Sequence, residues 1–375
     1  MPNNLIKTVK NLKEFKSFFP TLLNLTVQDI DFRNQGIDFN QIKLANTTFL
    51  GCDFDNGTEK ILRERGAYIY PKIVGLPYNP YRKELYTWEE LMGGYDIDND
   101  QSLDLKIYDH FIRNKFTPDI NEALAQHIHD NSIDNALREL IGLREDGMTE
   151  KKCVGVMGGH RVQRDEESYE KVAFVAKKLT EDGYFILSGG GPGIMEAANL
   201  GAYFAKKSDE DLKSAIEILK EAPKMNDHEF VTKSKKVLEL YPKGEMNLSI
   251  PTWFYGHEPS NLFASHIAKY FSNAIREDIL LAVAIHGIIY APGSAGTIQE
   301  IFQDAAQGQY ASWGYVSPMV FFGRKFWSED TFLYQLLRQI SKGHPYHDLI
   351  GIADETDEIV KFIKEHPPVK PGKSF

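Results

Sequence analysis

Two glycine-rich turns about 100 residues apart, Ser188-Gly-Gly-Gly-Pro-Gly-Ile-Met195 and Ala291-Pro-Gly-Ser-Ala-Gly-Thr-Ile-Gln-Glu300, each follow an apolar strand-like run and open a helix-like one. Glycine at such a turn lets the backbone approach a ligand closely. The first N–H groups of the following helix then point at that ligand with the positive end of the helix dipole behind them. Two such turns in one domain point to a mononucleotide, its phosphate gripped by one loop and its sugar near the other. Glu300 follows Thr297 by three positions near a helix start, so the two share a face. It reads either as a capping or dipole partner or as a carboxylate that stabilises a cationic sugar or activates water. Arg276, in Asn273-Ala-Ile-Arg-Glu-Asp278, reads either as half of a surface ion pair with its acidic neighbours or as a site cation. Composition leaves both pairs of readings open. Other chemistry is excluded by spacing. Gly189 and Gly191 begin a G-x-G-x-x-G dinucleotide fingerprint, but Ile194 stands where its last glycine belongs. No G-x-x-x-x-G-K-[ST] loop for phosphoryl transfer occurs.

Strands must end before these loops and helices must begin after them. From Lys152 the chain alternates accordingly. Residues 153–157 read as a strand ending in Gly158-Gly159-His160-Arg161. Ser168 caps a helix with the apolar stripe Val172, Phe174, Val175 and Leu179, closed by Gly183. Residues 184–187 form the next strand and 193–206 a helix. The pattern resumes with strand 247–251, helix 262–281, strand 284–290, helix 295–307, strand 318–322 and helices 331–340 and 357–364. This order predicts an α/β fold with a doubly wound, Rossmann-like parallel sheet, ligands binding beyond the carboxyl ends of its strands. Residues 208–241, charged, helical in period and containing Pro223, read as an insertion forming a lid or a dimer contact.

Upstream, Phe39, Leu44, Phe49 and Phe54 recur every five residues. The rhythm resembles pentapeptide repeats, whose central apolar residues stack inside a square β-coil; the other reading is an ordinary strand-and-turn segment. Residues 96–104 space oxygen ligands like a calcium loop, yet Gln101 replaces the needed glycine and Ile107 the bidentate glutamate, so a solvated turn is expected. Residues 118–146 read as a helix with Thr117 as cap, Pro118 at the first position and Asp119 favouring the dipole. The expected organisation is an N-terminal accessory domain at 1–116, a helical connector at 117–150 and a nucleotide-binding domain at 151–375.

The chain's 375 residues suffice for two or three domains, and 43 Lys+Arg against 53 Asp+Glu give a net charge of −10. An acidic surface without a basic run disfavours nucleic acid and anionic membrane as partners. Two cysteines, Cys52 and Cys153, fall in segments that read as different domains, against a disulfide framework or cysteine metal site. Lys7, Lys10, Lys13 and Lys16 interrupt the apolar character of residues 1–19, and no run approaches the ~20 apolar residues of a membrane span. A cytoplasmic location is expected.

Gly155-Val-Met-Gly-Gly-His160, then Ser188-Gly-Gly-Gly-Pro-Gly-Ile-Met-Glu-Ala-Ala-Asn199, then Arg276, then Pro292-Gly-Ser-Ala-Gly-Thr-Ile-Gln-Glu300 resemble, in that order, the "Lonely Guy" (LOG) family of nucleoside 5′-monophosphate phosphoribohydrolases. The resemblance spans about residues 150–365. The Gly-Gly-His turn, His286-Gly-Ile-Ile289 and the N-terminal extension look closer to the larger bacterial purine/pyrimidine nucleotide nucleosidases than to the short plant-type enzymes. The resemblance implies hydrolysis of an AMP-like nucleotide to free base and ribose 5-phosphate, without metal or redox cofactor. It implies Glu300 as catalytic carboxylate and Arg276 as its cationic partner. It also implies phosphate held by Gly293, Ser294, Ala295, Gly296 and Thr297, with Ser188, Gly189, Gly190, Gly191, Met195, Gly158, Gly159, His160 and Arg161 about the ribose and base. A homodimer or higher even-numbered oligomer is implied, and the apolar residues of 262–281 suggest that helix as its interface. Two residues depart from the family motif: Ser294 stands for a glycine and Glu277 for a lysine. Two rival functions are a nucleotide-sensing regulator without turnover and a pyridoxal-phosphate decarboxylase, which would need a Schiff-base lysine such as Lys206 or Lys207.

Overall fold

A computed structural model describes residues 5–7 and 21–370. Residues 1–19, read above for a leader, lie largely outside that range. Two compact units form: Met1–Leu85 with Arg113–Leu137, and Tyr86–Ile112 with Arg138–Phe375. Among the described residues no helix is long and apolar enough to cross a membrane.

The first unit contains a parallel β-coil. Strands Leu5–Ile6, Thr26–Gln28, Thr48–Leu50 and Tyr68–Tyr70 stack in one sheet, and Thr21–Leu23 pairs with Lys43–Ala45. Asn46 donates to Asn24, 22 residues earlier, so one turn of the coil consumes 22 residues. Its corners sit in the left-handed region at Asn24, Asp29 and Asn34, then at Asn46 and Gly51 one turn later. Asn, Asp and Gly are the residues that tolerate this conformation. The members of the five-residue rhythm, Phe39, Leu44, Phe49 and Phe54, are apolar residues packed in or against the core of this coil. Between corners Phe32, Phe39, Phe49 and Phe54 turn inward and meet largely edge to face, with Phe32–Phe39 and Phe49–Phe54 centroids 5.4 Å apart. The connecting helix spans Ile120–Ile141, and its cap is Asp119, whose carboxylate accepts from the N–H groups of Asn121 and Glu122 at 2.8 and 3.0 Å, rather than Thr117.

In the second unit the elements that position the glycine turns are β1 (Lys152–Met157), α1 (Glu167–Glu181), β2 (Tyr184–Ser188), α2 (Ile194–Tyr203), α3 (Asp209–Lys220), α4 (Phe230–Leu240), β3 (Leu248–Ser249), β4 (His266–Ile267), α5 (Asn273–Val283), β5 (Ile288–Tyr290), α6 (Ala295–Tyr310), β6 (Met319–Phe322), α7 (Leu333–Ile340), β7 (Ile350–Ala353) and α8 (Thr356–Glu365). The seven strands form one sheet in the order β4-β3-β2-β1-β5-β6-β7, every pairing parallel. Val154, Val156, Ile186, Ile289 and Val320 are buried under helices, as central parallel strands require. The strand order reverses between β1 and β5, and a ligand is expected in the crevice there.

Two expectations are corrected, and the expected turn at 96–99 is found. Residues 262–281 are not one helix: His266–Ile267 adds a strand beside β3, and α5 begins only at Asn273, capped by the Ser272 hydroxyl. A densely apolar run fits a buried strand and a buried helix equally well, and here sheet pairing prevailed. Leu262, Phe263, Ile267, Tyr270, Phe271, Ile279 and Leu280 are buried within this chain, and only Ile275 of that set is exposed, so they are not a free apolar face. The 208–241 insertion does not cover the cleft as a lid would. Leu212, Ala215, Ile216, Leu219 and Val237 join the core under α1 and α2, and none of the insertion lines the cleft described below. Residues 96–99 form a turn closed by Asp96, which accepts from the N–H groups of Asp98 and Asn99 at 2.9 and 3.1 Å.

Candidate active site

The turns after β1, β2 and β5 converge at the reversal point and are bonded to one another. Gly159 donates its N–H to Pro292 O at 2.9 Å and accepts from Ile194 N–H at 3.2 Å. Bare glycine is required at several of these contacts. A Cβ on Gly293 would lie 2.2 Å from Thr297 Oγ1, and one on Gly193, whose φ is +69°, would lie 2.5 Å from Gly159 O. The result is a cleft of about 450 Å³ whose lining includes Gly158, Gly159 and His160, Gly189 to Gly191, Met195, and Ser294 to Thr297.

At the start of α6, Ser294 makes no side-chain cap, and the first helical bond runs from Ile298 N–H to Ser294 O at 3.0 Å. The N–H groups of Ala295, Gly296 and Thr297 are thus the orphan donors of the helix start, on the cleft wall. Ser294 has φ −113°, which any residue adopts, so its replacement of glycine does not strain the loop.

Arg276 and Glu300 meet across this cleft from α5 and α6, each 8 % exposed. The guanidinium donates through Nε to Ile250 O at 2.9 Å and through Nη1 to Glu300 Oε1 at 3.3 Å. Arg276 is therefore not half of a surface pair. Glu277, itself buried, lies 4.0 Å from the same Nη1 and accepts from Gln299 at 2.5 Å, and Asp278 accepts from Gln303 at 2.5 Å. Burial pushes the Glu300 carboxyl up to about 7; Arg276 pulls it down and Glu277 adds to the rise. One turn further along α6, burial holds Asp304 up at about 7 although Tyr290 donates to it at 2.9 Å. A carboxyl poised near neutrality beside an arginine, one turn from a row of free N–H donors, can take a proton from water and steady a positive centre near a bound anion.

Three residues expected at the site sit otherwise. Ser188 is buried behind the loop, donating to Asn199 at 2.7 Å and accepting from Gly190 N–H at 3.1 Å, so it shapes the turn without lining the cleft. Gly293 likewise supports the loop from outside the lining, and Arg161 is exposed and outside it. Lys206 and Lys207 lie outside it too, Lys206 paired with Glu245 at 2.7 Å and 79 % exposed. The sequence reading missed the wall formed by Thr252, Tyr255 and Glu258 between β3 and β4 and by Lys269 just after β4. No motif marks them. Lys269 is buried and pairs with Asp104 at 2.8 Å, and Asp104 also accepts from Trp253 Nε1 at 2.8 Å. Burial would raise the Asp104 carboxyl, but Lys269 holds it below the usual range.

A family model described as LDcluster4, the SLOG cluster4 family, matches residues 151–208, a stretch that carries the turns after β1 and β2. No curated protein matches. Among solved structures, the molybdenum cofactor binding protein from the phototrophic bacterium Rippkaea orientalis is similar at 16 % identity and a TM-score of 0.37, over 58 % of this chain and 97 % of that one. The Moco carrier protein from Chlamydomonas reinhardtii is similar at 15 % identity and a TM-score of 0.37, over 58 % of this chain and 97 % of that one.

Proposed function

We propose that this protein hydrolyses the N-glycosidic bond of nucleoside 5′-monophosphates, AMP-like ones among them, releasing free base and ribose 5-phosphate. The observation that carries this reading is the buried Arg276–Glu300 pair one helical turn from the open N-terminus of α6. The 5′-phosphate sits on the N–H groups of Ala295 to Thr297 with the Thr297 hydroxyl, and the ribose lies along Gly189 to Gly191. As the C1′–N bond breaks, the sugar gains oxocarbenium character, which an ionised Glu300 stabilises. Water adds to C1′, its proton passes to Glu300, and the leaving nitrogen regains a proton from solvent. Arg276 holds the Glu300 carboxylate and balances its charge. The reaction draws on no metal or redox group. Support comes from the strand order, which opens the crevice where these loops meet, and from the family match on residues 151–208.

The test is incubation of the full chain with a panel of nucleoside monophosphates and adenosine, with free base as readout. Base release from a monophosphate is expected, and adenosine should lose at least about 2 kcal/mol of transition-state binding, the scale of one or two charge-assisted hydrogen bonds to phosphate. Glu300→Gln should bind nucleotide while turning over at least about a hundredfold slower. Tight binding of AMP without base release would establish the regulatory reading instead.

A further inference from the structure

The cleft contains a carboxylate that this reaction does not use. Glu258 lies on the wall between β3 and β4, and its Oε2 is 2.8 Å from where a Cβ on Gly191 would stand. The other two cleft glutamates are engaged, Glu277 by Gln299 and Glu300 by Arg276. Glu258 has no hydrogen bond or ion pair among the described residues, although it is half-buried. The backbone around it is anchored. The ring of His257 packs on Tyr108 at 5.5 Å, Ser260 donates through Oγ and N–H to Asp104 at 3.0 and 3.3 Å, and Thr252 donates to Tyr270 O at 3.0 Å. These contacts hold the carboxylate over the glycine loop after β2, at the Gly191 end, while Arg276 Nη2 lies 3.3 Å from a Cβ position at the Gly189 end.

An ionised carboxylate only accepts hydrogen bonds, and leaving it half-buried without a donor costs free energy that a ligand's O–H or N–H would recover. It would repel phosphate, so it faces the uncharged part of the ligand. We propose that Glu258 is the specificity residue of the cleft, accepting hydrogen bonds from a donor pair on the uncharged part of the nucleotide. Two sources offer such a pair: the cis 2′,3′-diol of the ribose and the amino face of the base. This inference rests on the nucleotide reading of the cleft given above.

The experiment compares full-length parent and Glu258→Ala on AMP, 2′-deoxy-AMP and purine riboside 5′-monophosphate, which lacks the amino group. Calorimetric binding of the same three ligands is measured in Glu300→Gln with and without the second change. The expected result is a loss of at least about tenfold in kcat/KM for AMP, the scale of one hydrogen bond to a charged group. The loss should vanish for whichever analogue lacks the donor: 2′-deoxy-AMP if the diol is read, the riboside if the base is. An equal loss on all three ligands, or none, overturns the proposal. Glu258→Gln, which keeps one acceptor oxygen, should fall between parent and alanine, and an unchanged melting temperature in both variants separates recognition from folding. If the parent releases no base but binding shows the same pattern, the specificity role stands and the hydrolase reading fails. If none of the three ligands binds at millimolar concentration, both fall.

Discussion

At the scale of single residues, the site depends on how far burial and Arg276 shift one carboxyl. Because Glu300 is held up to about 7, kcat/KM for AMP should rise through neutral pH as the carboxylate forms, then level off above about pH 8. Glu300→Gln should abolish that rise along with most of the rate. Arg276→Met should move the profile to higher pH, because removing a cation 3.3 Å away leaves burial unopposed. A profile unmoved in a folded Arg276→Met variant would separate the two residues functionally. Arg276→Lys should not rescue it. A single ammonium cannot reproduce the donors that reach Ile250 O and Glu300 together.

At the scale of elements, α1 and α2 are pressed together and the loops meet through glycine. A Cβ on Gly201 in α2 would lie 1.9 Å from Ala173 O in α1, a backbone atom that cannot swing aside. Gly201→Ala should therefore destabilise the protein by about 1–3 kcal/mol in urea unfolding, the usual range for overpacking, while the folded fraction keeps its kcat/KM. Gly193→Ala is expected to behave differently. Its strain falls on the turn that joins the loops after β1 and β2, so activity should drop more steeply than stability, which should fall by about 1–3 kcal/mol. The insertion is fixed by Arg164, a buried residue without a motif around it. Its guanidinium donates to Glu196 of α2 at 2.8 and 2.6 Å, to Phe230 O at 3.0 Å and to Ser234 of α4 at 2.6 Å. Removing that cation would leave the Glu196 carboxylate buried and unpaired.

At the scale of the whole molecule, two carboxyls raised to about 7, Glu300 and Asp304, give stability a definite pH dependence. A carboxyl whose folded pKa exceeds its unfolded one keeps its proton longer in the native state. Stability is then greatest below the unfolded value, falls as pH rises, and levels off above the folded value. Between pH 5.5 and 8 the unfolding free energy should fall by about 2 kcal/mol for each group, at about 1.4 kcal/mol per pH unit. Urea unfolding of the parent and of Glu300→Gln/Asp304→Asn at both pH values checks this, and a parent curve as flat as that of the double variant would refute it. Asp31 and Asp146, held near 2 by Arg33 and Arg144, are ionised throughout that range and add no slope.

Local chemistry made the parallel sheet and the glycine turns legible in the sequence. Strand, glycine, helix is a pattern written by neighbouring residues, because the φ and close-approach demands of each turn are met by the residue that occupies it. The five-residue rhythm was legible for a similar reason: Phe39, Leu44, Phe49 and Phe54 each pack on the interior of the coil from their own positions. Glu300 was readable as a candidate only from its place after the second loop, and Arg276 only from resemblance. The tertiary structure alone decided that they meet, by packing α5 against α6. It also decided the fate of residues 262–272, where an apolar run suits either period and the free edge of β3 selected a strand. The wall carrying Glu258 and Lys269 was illegible, because what places those residues is Asp104 and Tyr108, side chains remote in sequence that no local pattern links to them.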